Sequence, residues 1–156
     1  MSAAPSAPFV PSSERTGSGI EYLRKILAGE YASLPIGEHL RFRLAEVENG
    51  RVVLVGNPDR HSYNLLNTVH GGWTAAILDT AMALSNLSTL AADQSFTTLD
   101  IRINYLRPIT VETGEVRAEG RLIQGGRKVA YCEAKLADGE GRLLAHGTGS
   151  CLILPR

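Results

Sequence analysis

This sequence of 156 residues lacks most of the features that announce a function. It has two cysteines, Cys132 and Cys151, each inside a stretch that alternates like a strand. Two such residues make neither a disulfide framework nor a metal knuckle, so both are expected to be reduced core residues. There is no excess of charge: 16 basic residues balance 16 acidic ones, which argues against a dedicated nucleic-acid surface. No apolar run reaches the ~20 residues of a membrane span, because Thr80, Ser85 and Asn86 interrupt the longest one. The N-terminal stretch has no charged start followed by an apolar run, so no secretory signal is expected. A cytoplasmic protein is the expectation. Serine-hydrolase and nucleotide-hydrolase chemistry lack support, since neither a G-x-S-x-G elbow nor a P-loop lysine motif occurs. Gly17-Ser18-Gly19 lacks the third glycine of a dinucleotide fingerprint. His39, His61 and His146 keep no metal-ligand spacing, so no metal site is expected.

What the chain does have is one domain's worth of patterned sequence. Residues 1–18 are rich in Ser, Pro, Ala and Gly and read as a flexible N-terminal arm; residues 19–156 read as the single domain. Ile20, Leu23, Ile26 and Leu27 share a helical face, with Ser18 as N-cap and Gly29 as stop. Residues 32–37 read as a connection and residues 39–48 as a strand. Asn49-Gly50 signals a hairpin into a second strand over residues 51–56. After the polar loop 57–69 comes one long apolar helix, and then four alternating stretches: 95–106, 115–124, 128–137 and 142–154. Strict alternation over residues 95–106 puts Thr97, Leu99, Ile101, Ile103 and Tyr105 on one face, and Thr98, Asp100, Arg102 and Asn104 on the other. Two strands, a helix and four strands with short turns predict an α+β fold, an antiparallel sheet curled around one helix. Its edge strands need protection, and dimerisation through an edge would supply it.

Chemistry concentrates in residues 64–90. The helix there is apolar nearly all round, which places it inside the fold, yet it carries Asp79. An unpaired buried carboxylate is costly, so Asp79 is either satisfied by hydrogen bonds or placed for chemistry as nucleophile or general base. Small residues (Gly72, Ala75, Ala76, Ala83) share its stripe and leave room for a ligand or a neighbouring helix. His70-Gly71-Gly72 opens the helix. Unpaired amides and the macrodipole make that end electropositive, and glycine lets a carbonyl oxygen come close. A simple tight turn is the alternative there. His70 either contacts a ligand or orients the loop, and orientation is favoured. Arg107, and the Gly125-Gly126-Arg127-Lys128 turn, offer cations and turn amides of the kind a phosphorylated ligand needs, although a solvated hairpin tip looks the same in sequence.

Asn64, His70-Gly71-Gly72, Leu78-Asp79-Thr80-Ala81, Asn104-Tyr105-Leu106-Arg107-Pro108 and Gly125-Gly126-Arg127-Lys128 together resemble the hotdog-fold acyl-CoA thioesterases of the PaaI type. The resemblance spans roughly residues 38–154. It implies a five- or six-stranded antiparallel sheet wrapped around the helix, homodimers often paired into homotetramers, and active sites at the dimer interface. It implies Asp79 as the catalytic acid and Gly71 as the amide that polarises the thioester carbonyl. Asn64 would position the attacking water, opposite the partner's Asp79. Thr98 would assist the acid, although the gap before it differs slightly in length. Arg107, Gly126 and Arg127 would lie near the coenzyme A arm, and coenzyme A enters as part of the substrate, with no cofactor. Some relatives carry Glu where Asp79 stands.

The reading that follows is hydrolysis of a small or aromatic acyl-CoA, with Tyr63, Trp73 and Met82 lining an acyl pocket. Two alternatives remain at this point: an acyl-CoA-binding sensor that does not hydrolyse, and a 3-hydroxyacyl thioester dehydratase using His70 as second acid/base.

Overall fold

The computed structural model describes residues 7–156. The order of elements is α1 (Gly19–Leu27), α2 (Pro35–Leu40), β1 (Phe42–Glu48), β2 (Arg51–Gly56), α3 (Gly71–Leu87), β3 (Gln94–Tyr105), β4 (Val116–Gln124), β5 (Val129–Asp138) and β6 (Leu143–Pro155). The six strands form one antiparallel sheet in the order β1-β2-β4-β5-β6-β3. Helix α3 lies across it, mainly against β2, β4 and β5. This is the hotdog arrangement, an α+β fold with one central helix in a curled sheet.

The helix lies close to the sheet because the sheet is small-sided where they cross. A Cβ on Gly120 of β4 would collide with the Ala81 carbonyl group, so no side chain fits there. Ile77, Leu78, Ala81 and Met82 meet Val52, Leu54, Ala118, Ala134 and Leu136 in the core. Met82 reaches within 3.6 Å of the Cβ positions of Gly147 and Gly149, so it packs between helix and β6 rather than lining a cavity. Trp73 is buried, with its Nε1 donating to the Leu40 carbonyl at 2.7 Å.

Helix α1 begins where expected: the Glu21 carboxylate accepts from both the amide and the hydroxyl of Ser18, each at 2.7 Å. It ends at Leu27 rather than running further, and Gly29 at φ +76° turns the chain away. Residues 35–40, expected as connection and strand start, form the short α2 instead. Pro35 at its first position suits a helix start, and Arg41 in the left-handed region ends it.

The flexible-arm reading has two parts. Residues 1–6 lie outside the described residues. Residues 7–18 lie against the domain: Tyr22 donates to the Val10 carbonyl at 2.7 Å, and the Ala32 amide donates to Pro8 at 2.9 Å. Arg15, 1% exposed, donates to the carbonyls of Ser12, Ala91 and Gln94 at 2.8, 2.8 and 2.5 Å. One arginine ties down a stretch whose small polar composition suggested mobility.

Strand β3 also departs from strict alternation. Its pairing with β6 shifts between Thr98 and Asp100, leaving Leu99 as a bulge. The bulge flips the phase of the strand. Thr98 therefore shares the helix-facing side with Ile101, Ile103 and Tyr105, while Thr97 joins Asp100, Arg102 and Asn104 on the outer side. Among the described residues, no helix is long and apolar enough to cross a membrane.

Candidate active site

The two thirds of α3 nearest its N-terminus leave one stripe clear of the sheet. Gly71, Gly72, Ala75, Ala76, Asp79, Thr80 and Ala83 are partly or fully exposed along it. Asp79 is the only ionisable group on that helix, and it is held: Thr98 Oγ1 donates to Asp79 Oδ1 at 3.0 Å. The bulge at Leu99 is what aims this hydroxyl inward. Beneath the pair lies Cys151, opposite Thr98 in the ladder. Its contact with Cys132, its burial and the nearby Asp79 carboxylate all push the Cys151 thiol above the usual thiol range. Both cysteines are free and buried.

The start of α3 forms a second cluster. His70 is the N-cap, and its Nδ1 accepts from the Gly72 amide at 2.8 Å. This contact ties the His70 ring to the backbone of the corner. The Trp73 amide donates to the His70 carbonyl at 3.0 Å. The Gly71 amide donates to no acceptor among the described residues and borders a cavity of about 340 Å³. Asn64, Thr74, Tyr105, Arg107, Ile109 and Leu144 also line this cavity. Asn64 shapes its own turn: its Oδ1 accepts from the Leu66 amide at 2.8 Å, and its Nδ2 donates to Thr68 Oγ1 at 3.1 Å. Arg107 donates from Nη1 to the Leu143 carbonyl at 2.6 Å.

A larger cavity, about 570 Å³, lies on the other side of the corner against His39, His61, Tyr63, His70 and Trp73. Of the three side chains expected to line an acyl pocket, Tyr63 and Trp73 border this cavity, while Met82 borders neither. Among the described residues, no group of three or more His, Cys, Asp or Glu side chains is placed to hold a metal ion.

One chain therefore brings the expected residues together in three groups. Asn64, Gly71 and Arg107 share a cavity, while His70 borders the larger one. Asp79 and Thr98 share a hydrogen bond. Gly126 and Arg127 stand exposed at the tip between β4 and β5. Arg107 sits beside Leu144 and the tip beside Leu152, eight residues apart along β6, or roughly 26 Å at ~3.3 Å per residue. Gly71 and Asp79 are eight residues apart on α3, about 12 Å along its axis.

A sequence profile described as the thioesterase superfamily matches residues 66–145, just over half of the chain. The chain belongs to the thioesterase superfamily. It is a hotdog-fold thioesterase of the PaaI type, a thioester hydrolase. A relative from Saccharolobus solfataricus, described provisionally as an esterase, is 31% identical over 121 residues, covering 76% of this chain and 83% of its own. Among solved structures, this thioesterase is similar to a point variant of the phenylacetic acid degradation protein PaaI from Thermus thermophilus, with TM-score 0.69 and 27% identity, covering 76% of this chain and 98% of that one. It is also similar to a phenylacetic acid degradation-related protein from Ralstonia eutropha, with TM-score 0.75 and 28% identity, covering 84% and 98%.

Sequence reasoning missed one contact in this thioesterase. Tyr105 reads as an ordinary strand residue, yet its hydroxyl donates to the Gly71 carbonyl at 3.1 Å, across 34 positions. Only the NYLRP stretch, as a motif, drew attention to that position.

Proposed function

We propose that the protein hydrolyses acyl-CoA thioesters to a free acid and coenzyme A, at a site built from two copies of the chain. The carrying observation is the Asp79 carboxylate, hydrogen-bonded by Thr98 on the one stripe of the central helix that the sheet leaves uncovered. The Gly71 amide is the complementary group, an electropositive donor left for an incoming carbonyl oxygen.

A reacting centre sits ~3 Å from its nucleophile and its oxyanion donor. The ~12 Å of helix between Gly71 and Asp79 is too long for one chain to apply both directly to one carbonyl. A second copy, with its α3 running antiparallel alongside, brings its Gly71 to this chain's Asp79. Edge strand β3 supports that assembly. It is 12 residues long, and Leu99, Ile101 and Tyr105 on it are 52%, 40% and 57% exposed. Such an edge pairs with its like across a two-fold axis. Dimers pair further into tetramers.

In this site, Asp79 attacks the carbonyl carbon itself, or takes a proton from a water that Asn64 positions. Gly71 N–H binds the oxyanion, and His70 fixes the corner. In the first case an Asp79–acyl anhydride forms as the carbon–sulfur bond breaks and coenzyme A leaves as its thiolate; water then cleaves the anhydride, frees Asp79, supplies the acid's new oxygen and gives up the proton that neutralises sulfur. In the second case water adds to the carbonyl carbon, Asp79 carries its proton to sulfur, and the carbon–sulfur bond breaks to release the thiol and the acid. Arg107 of one copy, with Gly126 and Arg127 of the other, lies along the coenzyme A arm. No metal or prosthetic group enters the proposed chemistry. The acyl group is small or aromatic; the phenylacetic acid degradation proteins at 27% and 28% identity support an aromatic one. A coenzyme A thioester as substrate suits a cytoplasmic enzyme.

The test is thiol release from short, long, branched and aromatic acyl-CoAs by the wild type and by Asp79→Asn. The variant is expected to lose roughly 10²–10⁴ in kcat while keeping its fold and oligomeric state. Retained turnover removes Asp79 from the mechanism. Binding by calorimetry without thiol release points to a sensor instead.

A further inference from the structure

Position 71 is a glycine for a reason other than its backbone. It opens α3 with ordinary helical geometry, and its φ is not positive, so any L-residue could adopt its conformation. A Cβ there would meet the Tyr105 ring, at 3.2 Å from Cζ and 3.3 Å from Cε1 and Oη. These contacts are closer than an ordinary packing distance of ~3.5–4.0 Å, so a side chain at 71 has to push the ring aside. The ring is held in turn by its own hydrogen bond, Oη to the Gly71 carbonyl at 3.1 Å.

The peptide joining Gly71 to Gly72 is thus held at both ends. Its N–H, on Gly72, donates to His70 Nδ1 at 2.8 Å. Its C=O, on Gly71, accepts from Tyr105. Fixing that plane fixes the residue whose own N–H is left over. Tyr105 reaches this point from the last position of β3, where it pairs with Ala145, so the sheet edge and the helix start are coupled through one hydroxyl.

We propose that Tyr105 is a positioning residue for the Gly71 amide: it clamps the Gly71–Gly72 peptide from the carbonyl side, as His70 does from the amide side, and it crowds any side chain at position 71. The catalytic part of this inference rests on the reading that Gly71 N–H receives the thioester oxygen. The clamp itself does not.

Tyr105→Phe keeps the ring and removes the donor. More than half of Tyr105 is exposed, so the variant folds. It is expected to lower kcat roughly five- to tenfold, the scale of one hydrogen bond, with KM changed less than twofold. Hydrogen exchange at the Gly72 amide, followed by NMR, is expected to speed up by a similar factor. Gly71→Ala, by displacing the ring, is expected to cause the same loss. The double variant Gly71→Ala/Tyr105→Phe should be no worse than either single one, because both break the same contact. The clamp is overturned if Gly72 exchanges in Tyr105→Phe as in the wild type. Its catalytic role is overturned if kcat is unchanged there, or if the two losses multiply. A wild type that cleaves no acyl-CoA sinks the proposed reaction, while the exchange measurement still decides the clamp.

Discussion

Mixing two dead enzymes should give a live one. Asp79→Asn removes the acid. Gly71→Pro removes the amide donor and, by adding a Cβ against the Tyr105 ring, its clamp as well. Position 71 is the first residue of α3, where proline is favoured and its missing N–H breaks no helix bond. His70, at φ −61° and ψ 138°, already has the extended geometry that a following proline requires. The Tyr105 ring has to yield by a few tenths of an ångström, and the loss of its contact falls on the same half of the site as the missing donor. Loss of one oxyanion donor costs ~10²–10³ in rate, and loss of the acid at least as much. If each site takes Asp79 from one copy and Gly71 from the other, a mixed dimer has one doubly damaged site and one intact site. Random one-to-one reassociation makes half of the dimers mixed, so about a quarter of all sites are intact. The assay is thiol release after the two tagged variants are co-expressed or refolded together, before any purification of the mixed species. Recovery to roughly a quarter of wild-type kcat per total site is expected, rising to about half once the mixed dimers are isolated on both tags. A mixture no faster than the mean of its parents refutes the two-chain site.

Three further outcomes follow from the geometry. Thr98→Val preserves shape but removes the donor to Asp79; kcat should fall roughly tenfold, with the melting temperature little changed, as steady-state kinetics and calorimetry would show. Gly120→Ala forces a methyl against the Ala81 carbonyl; a loss of about 3 kcal/mol, or roughly 6–12 °C in Tm, is expected, and an unchanged Tm would show that α3 does not press on β4 there. The hydrogen bond from Arg142, with those from the backbone amides of Arg142 and Glu140, holds the Asp138 carboxyl below its ordinary value of 3.8. A depressed carboxylate stabilises the fold above its unfolded pKa and loses that contribution as pH falls through the folded one. The Tm difference between wild type and Asp138→Asn should therefore be full above about pH 4 and shrink below it, as a pH series of melts would measure.

Much of this could be read from the chain itself. Alternating stretches, the Asn49-Gly50 turn and one helix apolar all round give an antiparallel sheet curled on a helix, because those periods leave few ways to bury the apolar faces. The lone carboxylate on that helix and the His-Gly-Gly start mark the two halves of the candidate site. Other features depend on contacts between distant residues and leave no local trace. Leu99 has the composition of any strand residue, yet as a bulge it turns Thr98 from the outer face onto Asp79. Arg15 is one cation in a run of small residues, and its distant partners, the carbonyls of Ala91 and Gln94, leave no mark near it in the chain.

The sequence by itself determined the class of fold and which residues are candidates for the chemistry, since both follow from periodicity and residue chemistry along the chain. The tertiary structure decided which of those residues meet. Strand β3 pairs with β6 rather than with its sequence neighbour β4, which leaves β3 as an open edge. A rigid helix keeps Gly71 and Asp79 ~12 Å apart along its axis, so the two do not meet within one chain. Register, bulges and edges are set by long-range pairing, so no short window of sequence contains them.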